Sequence, residues 1–116
     1  MATYSKIPFS QSSNGKSIML TLSSAPGVLI HTAVATPSTD EIWLYASNTT
    51  AADSMTTFYW GTTAIGDVLA QVNVQAYAGL ILIVPGLILS DANTIYAFTQ
   101  TPSAVDIAGY VNRITA

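Results

Sequence analysis

The sequence predicts an all-β domain: an antiparallel β-sandwich of about eight strands, jelly-roll-like or immunoglobulin-like. The apolar runs are short and rich in Val, Ile, Thr, Tyr and Trp, the residue types that favour strands. Gly, Pro, Asn, Asp or Ser interrupts these runs at short intervals, as turns between strands require. No stretch of ten or more residues combines a helical period of apolar residues with capping residues at its ends.

Turn residues separate the first four predicted strands. Asn14-Gly15 precedes the first strand, and this dipeptide accepts the positive φ values of a tight turn. Proline-containing turns at 25–27 and 36–38 end the first two strands, and residues 48–50 and Gly61 end the next two. The eight predicted strands cover residues 17–23, 28–35, 41–47, 55–60, 67–75, 80–84, 94–99 and 105–114.

The last four predicted strands differ in their patterns. The fifth has the clearest alternation, with valines and Ala70 on one face and Gln71, Asn73 and Gln75 on the other. The sixth is apolar on both faces, which predicts a place in the middle of a sheet or at a subunit interface. Pro85 is expected to end it, since proline cannot donate to a central ladder. Turns at 91–93 and 101–103 precede the seventh and eighth strands.

The first sixteen residues differ from the rest and divide the chain into an N-terminal arm, 1–16, and a sandwich domain, 17–116. The arm contains Pro8 and two of the three cationic side chains, Lys6 and Lys16. We expect it to be mobile or ordered on a partner. The alternative is an extra edge strand paired through the Asn14-Gly15 turn.

Sparse charge is the main feature of the composition. Only 8% of the 116 residues are charged, whereas the chain has 15 threonines and 12 serines; an average soluble domain is roughly 25% charged. Such a surface favours extensive contact with other protein, and a secreted protein with a hydroxyl-rich surface is the alternative. With a net charge of −3 and three cations, binding to nucleic acid is not expected, because phosphate neutralisation needs several Lys or Arg side chains.

Other features of the sequence bear on further classes of site and of protein. The absence of cysteine removes disulfides and thiolate zinc sites and leaves the redox compartment open. The N-terminus has no apolar run of signal-peptide length. Residues 68–90 are uncharged, but alternating polar residues, Pro and Gly interrupt them, so we expect no membrane span.

Candidate catalytic groups are few, and we expect no enzyme activity and no catalytic, cofactor or metal site. His31 is the only histidine and lies inside a predicted strand, which favours a structural or interface role. Most aspartates lie at predicted turns, where their side chains bond to the backbone. Asn48-Thr49-Thr50 matches the glycosylation sequon, and we interpret it as an accidental match in a turn.

Aromatic residues give two predicted strands apolar side chains on both faces. Trp43 and Tyr45 share one face of the third strand, opposite Ile42 and Leu44. Tyr96 and Phe98 lie opposite apolar residues of the seventh strand in the same way. In a two-layer sandwich one face should meet water, so we expect an oligomer interface. The alternatives are an aromatic platform for sugar, with Trp60 as the residue to test, or an apolar but monomeric sheet.

Four segments of the chain resemble small virion proteins of tailed bacteriophages. They are DEIWLYASNT at 40–49, FYWG at 58–61, GLILIVPGL at 79–87 and IAGYVNRI at 107–114. The resemblance covers residues 40–114, and the ending is its most specific part.

This resemblance implies a structural virion protein, above all a head decoration (cement) protein. Such a protein is made in the host cytoplasm, binds the outer surface of the phage head as a homotrimer and clamps major capsid subunits, without an active site. Head-completion and tail-associated proteins share similar patterns. The alternative function is a tail or fibre module that binds a receptor or carbohydrate.

On this interpretation we assign the candidate contact residues. Subunit contacts are expected from Trp43, Tyr45, Leu87, Ile88, Tyr96, Phe98 and Tyr110. Contacts between the arm and the capsid are expected from Tyr4, Lys6, Ile7 and Phe9.

Overall fold

The computed structural model describes residues 2–116, which form two antiparallel sheets packed together, with 55% strand and 3% helix. The predicted all-β sandwich is therefore confirmed. Its strands are β1 (Thr3–Ile7), β2 (Ile18–Met19), β3 (Val28–Thr32), β4 (Thr39–Asn48), β5 (Ser54–Gly61), β6 (Val68–Val74), β7 (Ile81–Leu89), β8 (Thr94–Thr99) and β9 (Val105–Thr115). A 3₁₀ turn at Ile65–Asp67 precedes β6. Within residues 2–116, no helix is long and apolar enough to cross a membrane.

Strand order decides between the two sandwich topologies that the sequence left open. Sheet A has the order β1-β9-β4-β7, and sheet B has the order β3-β8-β5-β6. Apart from the short β2, the strands pair from the two ends of the chain inward: β1 with β9, β3 with β8, β4 with β7, and β5 with β6. This nested pairing is that of a long hairpin rolled into two sheets, which is a jelly roll.

The core lies between the sheets and is built by strict alternation in β4. Ile42, Leu44 and Ala46 are buried, whereas Trp43 and Tyr45 on the opposite face remain half-exposed. Side chains such as Phe58 from sheet B complete the apolar layer. The faces predicted for this strand are confirmed, because a period of two places alternate residues on opposite sides of a sheet.

Strand β7 corrects the prediction for the sixth strand in two ways. It runs through Pro85 to Leu89 instead of ending before the proline. It also forms the edge of sheet A, pairing only with β4, so it does not lie in the middle of a sheet. An edge strand tolerates proline because one side of its backbone needs no ladder partner. The register shifts opposite Trp43, where Gly86 adopts a φ of +81°.

The N-terminal arm is extended and adds an edge strand to sheet A. Strand β1 pairs with residues 111–115 of β9, and β2 pairs with 106–107 of the same strand. Strand β1 therefore pairs with β9 and does not form a hairpin through the Asn14-Gly15 turn. The predicted first strand, 17–23, is reduced to Ile18–Met19, since Leu20 turns into the core just after it.

Candidate functional site

The outer face of sheet A carries an aromatic and aliphatic surface. The rings of Trp43 and Tyr110, on neighbouring strands, are stacked with centroids 6.2 Å apart and planes 12° apart. The indole Nε1–H of Trp43 donates to Glu41 Oε1 at 2.7 Å, which fixes the ring against the sheet. We call this surface the A face, defined by Trp43, Tyr45, Leu82, Ile88 and Tyr110.

Two of the aliphatic side chains on the A face are exposed to solvent. Leu82 lies opposite Tyr45 and is 45% exposed, and Ile88 lies opposite Glu41 and is 51% exposed. Leu87 pairs with Ile42, whose side chain faces the core, so Leu87 is not on the A face. It lies on the inner side of the edge strand β7. Exposed aliphatic side chains next to half-exposed aromatic rings are typical of a protein contact surface.

The outer face of sheet B has a different composition. Tyr59, Tyr96 and Phe98 lie together on β5 and β8, and the rings of Tyr59 and Phe98 are 6.2 Å apart. Gln71 and Gln100 lie beside them and help line a shallow depression of about 460 Å³. We call this surface the B face. Strands β3, β5, β6 and β8 contain no Asp, Glu, Lys or Arg, so the B face is neutral and rich in amides and hydroxyls.

The predicted interface residues therefore divide between opposite sides of the sandwich. Trp43, Tyr45, Ile88 and Tyr110 lie on the A face, Tyr96 and Phe98 lie on the B face, and Leu87 lies at the edge. One flat contact cannot use both faces. The sequence pattern showed that each strand was apolar on both sides, but it could not show that the two strands belong to different sheets.

The four arm residues predicted to bind a capsid have different environments. Tyr4 is 70% exposed, and the Lys6 ammonium lies 5.2 Å from the centre of the Tyr110 ring. Ile7 is half-buried against the core. Phe9 is 2% exposed and belongs to the core, so its assignment as a capsid-gripping residue is corrected. The burial of Phe9 was not predictable from the sequence, because Phe9 lies in a segment without regular alternation of polar and apolar residues.

A buried polar network joins the two sheets to the arm. It consists of His31 on β3 of sheet B, Asp40 and Arg113, which are cross-strand partners in sheet A, and Ser10 of the arm. Asp40 Oδ2 accepts from His31 Nε2–H at 2.8 Å, and Oδ1 accepts from Arg113 Nε–H at 2.8 Å. Arg113 also donates to Oδ2 at 3.0 Å, as does the Val34 amide at 3.1 Å. The carboxylate is fully satisfied, and both His31 and Asp40 are shielded from solvent.

The charges in this network are set by its hydrogen bonds. Burial raises the pKa of Asp40, but hydrogen bonds from Arg113, His31 and the Val34 amide outweigh burial and hold the pKa below 3.8. The bond to Asp40 raises the pKa of Arg113. Burial lowers the pKa of His31 below 6.5, and Asp40 offsets this only in part. At neutral pH the network is an Asp40–Arg113 ion pair beside an uncharged imidazole.

The chemistry open to His31 is limited by its two ring contacts. Nδ1 accepts the backbone N–H of Ser10 at 2.9 Å, and Nε2–H donates to Asp40. A general base in nucleophilic catalysis needs a ring nitrogen free to accept a hydroxyl proton, and neither nitrogen of His31 is free in this arrangement. The geometry agrees with the structural role expected for His31. Residues 2–116 also contain no group of three or more His, Cys, Asp or Glu side chains placed to hold a metal ion.

The sequon asparagine, Asn48, is a structural residue. It is 1% exposed, and its amide donates to the carbonyl oxygens of Ala52 and Val74 at 2.8 and 2.9 Å. Its Oδ1 accepts from the Thr50 amide at 2.8 Å. A glycan on this nitrogen is incompatible with these contacts, which supports interpreting the sequon as accidental.

Replacing Asn48 with alanine is expected to destabilise the fold by roughly 2 kcal/mol, because the carbonyls of Ala52 and Val74 lose their buried donor. The midpoint of urea unfolding measures this change. Asn112→Ala is the matched control, since Asn112 is half-exposed and makes no side-chain hydrogen bond to residues 2–116. Equal midpoints for the two variants would contradict the structural role of Asn48.

Comparison of the chain with protein-family models, with curated proteins and with solved structures gave no match.

Proposed function

We propose that this protein is a structural subunit of a tailed-phage virion, a decoration protein that self-associates through the A face and binds the outside of the head. The supporting observation is the stacked Trp43–Tyr110 pair with exposed Leu82 and Ile88 beside it. Covering this surface would gain about 25 cal/mol for each Å² of apolar area removed from water. The phage-like motifs in residues 40–114 point to the virion.

The fold and the composition are compatible with this proposal. Jelly rolls recur in viral capsid proteins, although they also occur in lectins and enzymes, so the fold alone does not assign a function. Only 8% of the residues are charged, as expected for a chain with much of its surface covered by protein. In this proposal the protein is made in the host cytoplasm, and its partners are copies of itself and the major capsid protein.

The A face is the better candidate for self-association. Contacts between opposite faces of a sandwich would stack copies in a row, whereas a closed homotrimer needs surfaces arranged around one axis. The A face combines the stacked Trp43–Tyr110 pair with the exposed Leu82 and Ile88. The B face also exposes Met55 and Leu69, but polar side chains lie among them, such as Gln71 and Asn73. Tyr4 and Lys6 of β1 lie at the adjoining edge of sheet A and are exposed, so they remain candidates for contact with the capsid, together with the half-buried Ile7.

Light scattering of the purified protein tests self-association. We expect a mass three times that of the 12.2 kDa chain, and we expect Ile88→Glu to reduce it to the monomer mass, because the new carboxylate would be buried in the contact. Leu69→Glu is the control, since Leu69 is comparably exposed, at 43%, but lies on β6 of the opposite sheet. A wild-type monomer, or an Ile88→Glu variant that stays trimeric, would contradict the assignment.

Capsid binding is tested by co-expression with the major capsid protein from the same genome, followed by sedimentation of the assembled shells. We expect the protein to sediment with the shells, and we expect Tyr4→Ala combined with Lys6→Ala to weaken this binding. Both side chains are exposed on β1, so the double variant should fold. If the wild-type protein remained in the supernatant of well-formed shells, a decoration function would be excluded.

The B face supports a second candidate function, recognition of a neutral carbohydrate. Its rings and neighbouring glutamines provide stacking and hydrogen-bonding groups without charge. Trp60 is not the residue to test, because it lies opposite Ile95 on the inner side and packs against the core. Phe98→Ala should abolish glycan-array binding, whereas Leu82→Ala on the A face should not. An array with no wild-type signal would remove this candidate.

A further inference from the structure

The N-terminal arm is attached to the sandwich at two places, by the pairing of β1 with β9 and by a corner at residues 9–11. Residues 3–6 of β1 are exposed and contribute little apolar contact, although the strand pairs with β9. The next anchor is Phe9, which is buried in the core with its ring centre 5.8 Å from that of His31. Ser10 follows immediately and is bonded to β3, so the chain is fixed to sheet B next to Phe9.

Three hydrogen bonds hold this corner on β3. The Ser10 amide donates to His31 Nδ1 at 2.9 Å, and Ser10 Oγ accepts from the Thr32 amide at 2.8 Å. The Gln11 amide donates to the Ile30 carbonyl at 3.3 Å. Of these three bonds, only the bond to Nδ1 involves a side chain whose acceptor atom can take up a proton.

The protonation state of the His31 ring follows from its partners. A carboxylate only accepts hydrogen bonds, so the bond to Asp40 requires the proton on Nε2. Nδ1 must then be unprotonated in order to accept from Ser10. A second proton could enter only at Nδ1, where it would face the Ser10 N–H, and two donors cannot bond to each other.

We propose that His31 is an acid-sensitive latch: a proton on Nδ1 breaks its bond to Ser10 and releases residues 2–10 from the sandwich, while strands β2 to β9 stay folded. The Asp40–Arg113 pair remains intact in the released state, because the imidazolium keeps its Nε2–H bond to Asp40. The released arm exposes the ring of Phe9 and the edge of β9. This latch is independent of the proposed capsid function.

The electrostatic surroundings give the direction of the pH effect. Two charged groups act on His31: Asp40 of β4, which favours the imidazolium, and Arg113 of β9, which opposes it. Phe9 and Ser10 of the arm are uncharged. Burial lowers the pKa of His31 below 6.5 while the latch is closed. The released ring meets solvent and keeps its bond to Asp40, so its pKa is higher than in the closed state. The released state therefore binds more protons, and the closed state loses stability as the pH falls.

Amide hydrogen exchange followed by NMR tests the latch, with rates normalised to the intrinsic exchange rate at each pH. Between pH 7.5 and 5, the protection of β1 and Ser10 amides should fall as the pH falls, by up to about tenfold per pH unit. The amides of β5 and β8 in sheet B should keep their protection. Asp40 remains ionised throughout this range, because its pKa lies below 3.8.

His31→Asn is the matched variant. Its amide oxygen can accept the Ser10 N–H near the position of Nδ1, and it does not titrate, so β1 protection should become independent of pH. In the wild type, the ¹⁵N shifts of the His31 ring should report the Nε2–H tautomer at pH 7.5, a test that holds even if the variant fails to fold. Three results would each overturn the latch: β1 protection that does not change with pH, a parallel loss in β5 and β8, or an unchanged pH response in folded His31→Asn.

Discussion

Replacing Asp40 with alanine is expected to destabilise the fold by about 3 to 5 kcal/mol, the range for breaking a buried ion pair by removing one partner. Asp40 is fully buried and accepts four hydrogen bonds, from His31, the Val34 amide and two nitrogens of Arg113. Alanine leaves the donors on His31 and Val34 facing a cavity and leaves Arg113 without its counter-ion. Because the network joins sheet A, sheet B and the arm, its loss should weaken the whole fold.

Urea unfolding at pH 7 measures this loss, and Asp106→Ala is the matched control. Asp106 lies on β9 like Arg113 but makes no side-chain hydrogen bond or ion pair within residues 2–116, so its removal should change stability by less than about 1 kcal/mol. The pKa of Asp40 is lowered in the fold, so its contribution is present above pH 3.8 and is lost as the pH falls below that value. The two variants should therefore converge in acid. Similar unfolding midpoints at pH 7 would refute a stabilising role for the network.

Asp40 also shows how much of the candidate site the sequence could reveal. The third predicted strand began at Glu41, yet extending its alternation back by one residue places Asp40 on the same face as the buried Ile42 and Leu44. A carboxylate on an inward face signals a partner, because a buried charge must be paired. That partner could not be named, since Arg113 is 73 residues away and its position depends on the register between β4 and β9.

The fold was predictable to the level of strands and turns but not of pairing. Local alternation located the strands, whereas their order depends on long-range contacts that leave no local pattern.

The serine and threonine residues show a related limit, since composition suggested that they belong to the surface. Ser54, Thr56 and Thr99 are instead buried and bond to one another at 2.6 and 2.9 Å. Hydroxyl groups can be buried at low cost when they satisfy each other, and only the register of β5 and β8 brings these three together.

The second large effect is expected at Gly109, in the middle of β9. Its φ is +151°, and a Cβ atom there would clash with the carbonyl oxygen of Trp43 on β4 and lie 3.1 Å from Cε2 of Phe9. The first contact is with the backbone of the neighbouring strand, so a change of rotamer cannot relieve it. Gly109→Ala must therefore separate β9 from β4 or distort one of them, at the longest pairing in sheet A.

We expect Gly109→Ala to lower stability by about 3 kcal/mol, combining backbone strain with overpacking. Thermal unfolding followed by circular dichroism measures this loss. Gly79→Ala is the control, because a Cβ at Gly79 meets no atom within 4 Å, and its effect should stay within about 0.5 kcal/mol. Since the added methyl group also presses on Phe9, the Gly109 variant should loosen the arm, so that β1 amides exchange faster than in the wild type even at pH 7.5. If the two glycine variants melted at the same temperature, the close approach of β9 to β4 at this position would be wrong.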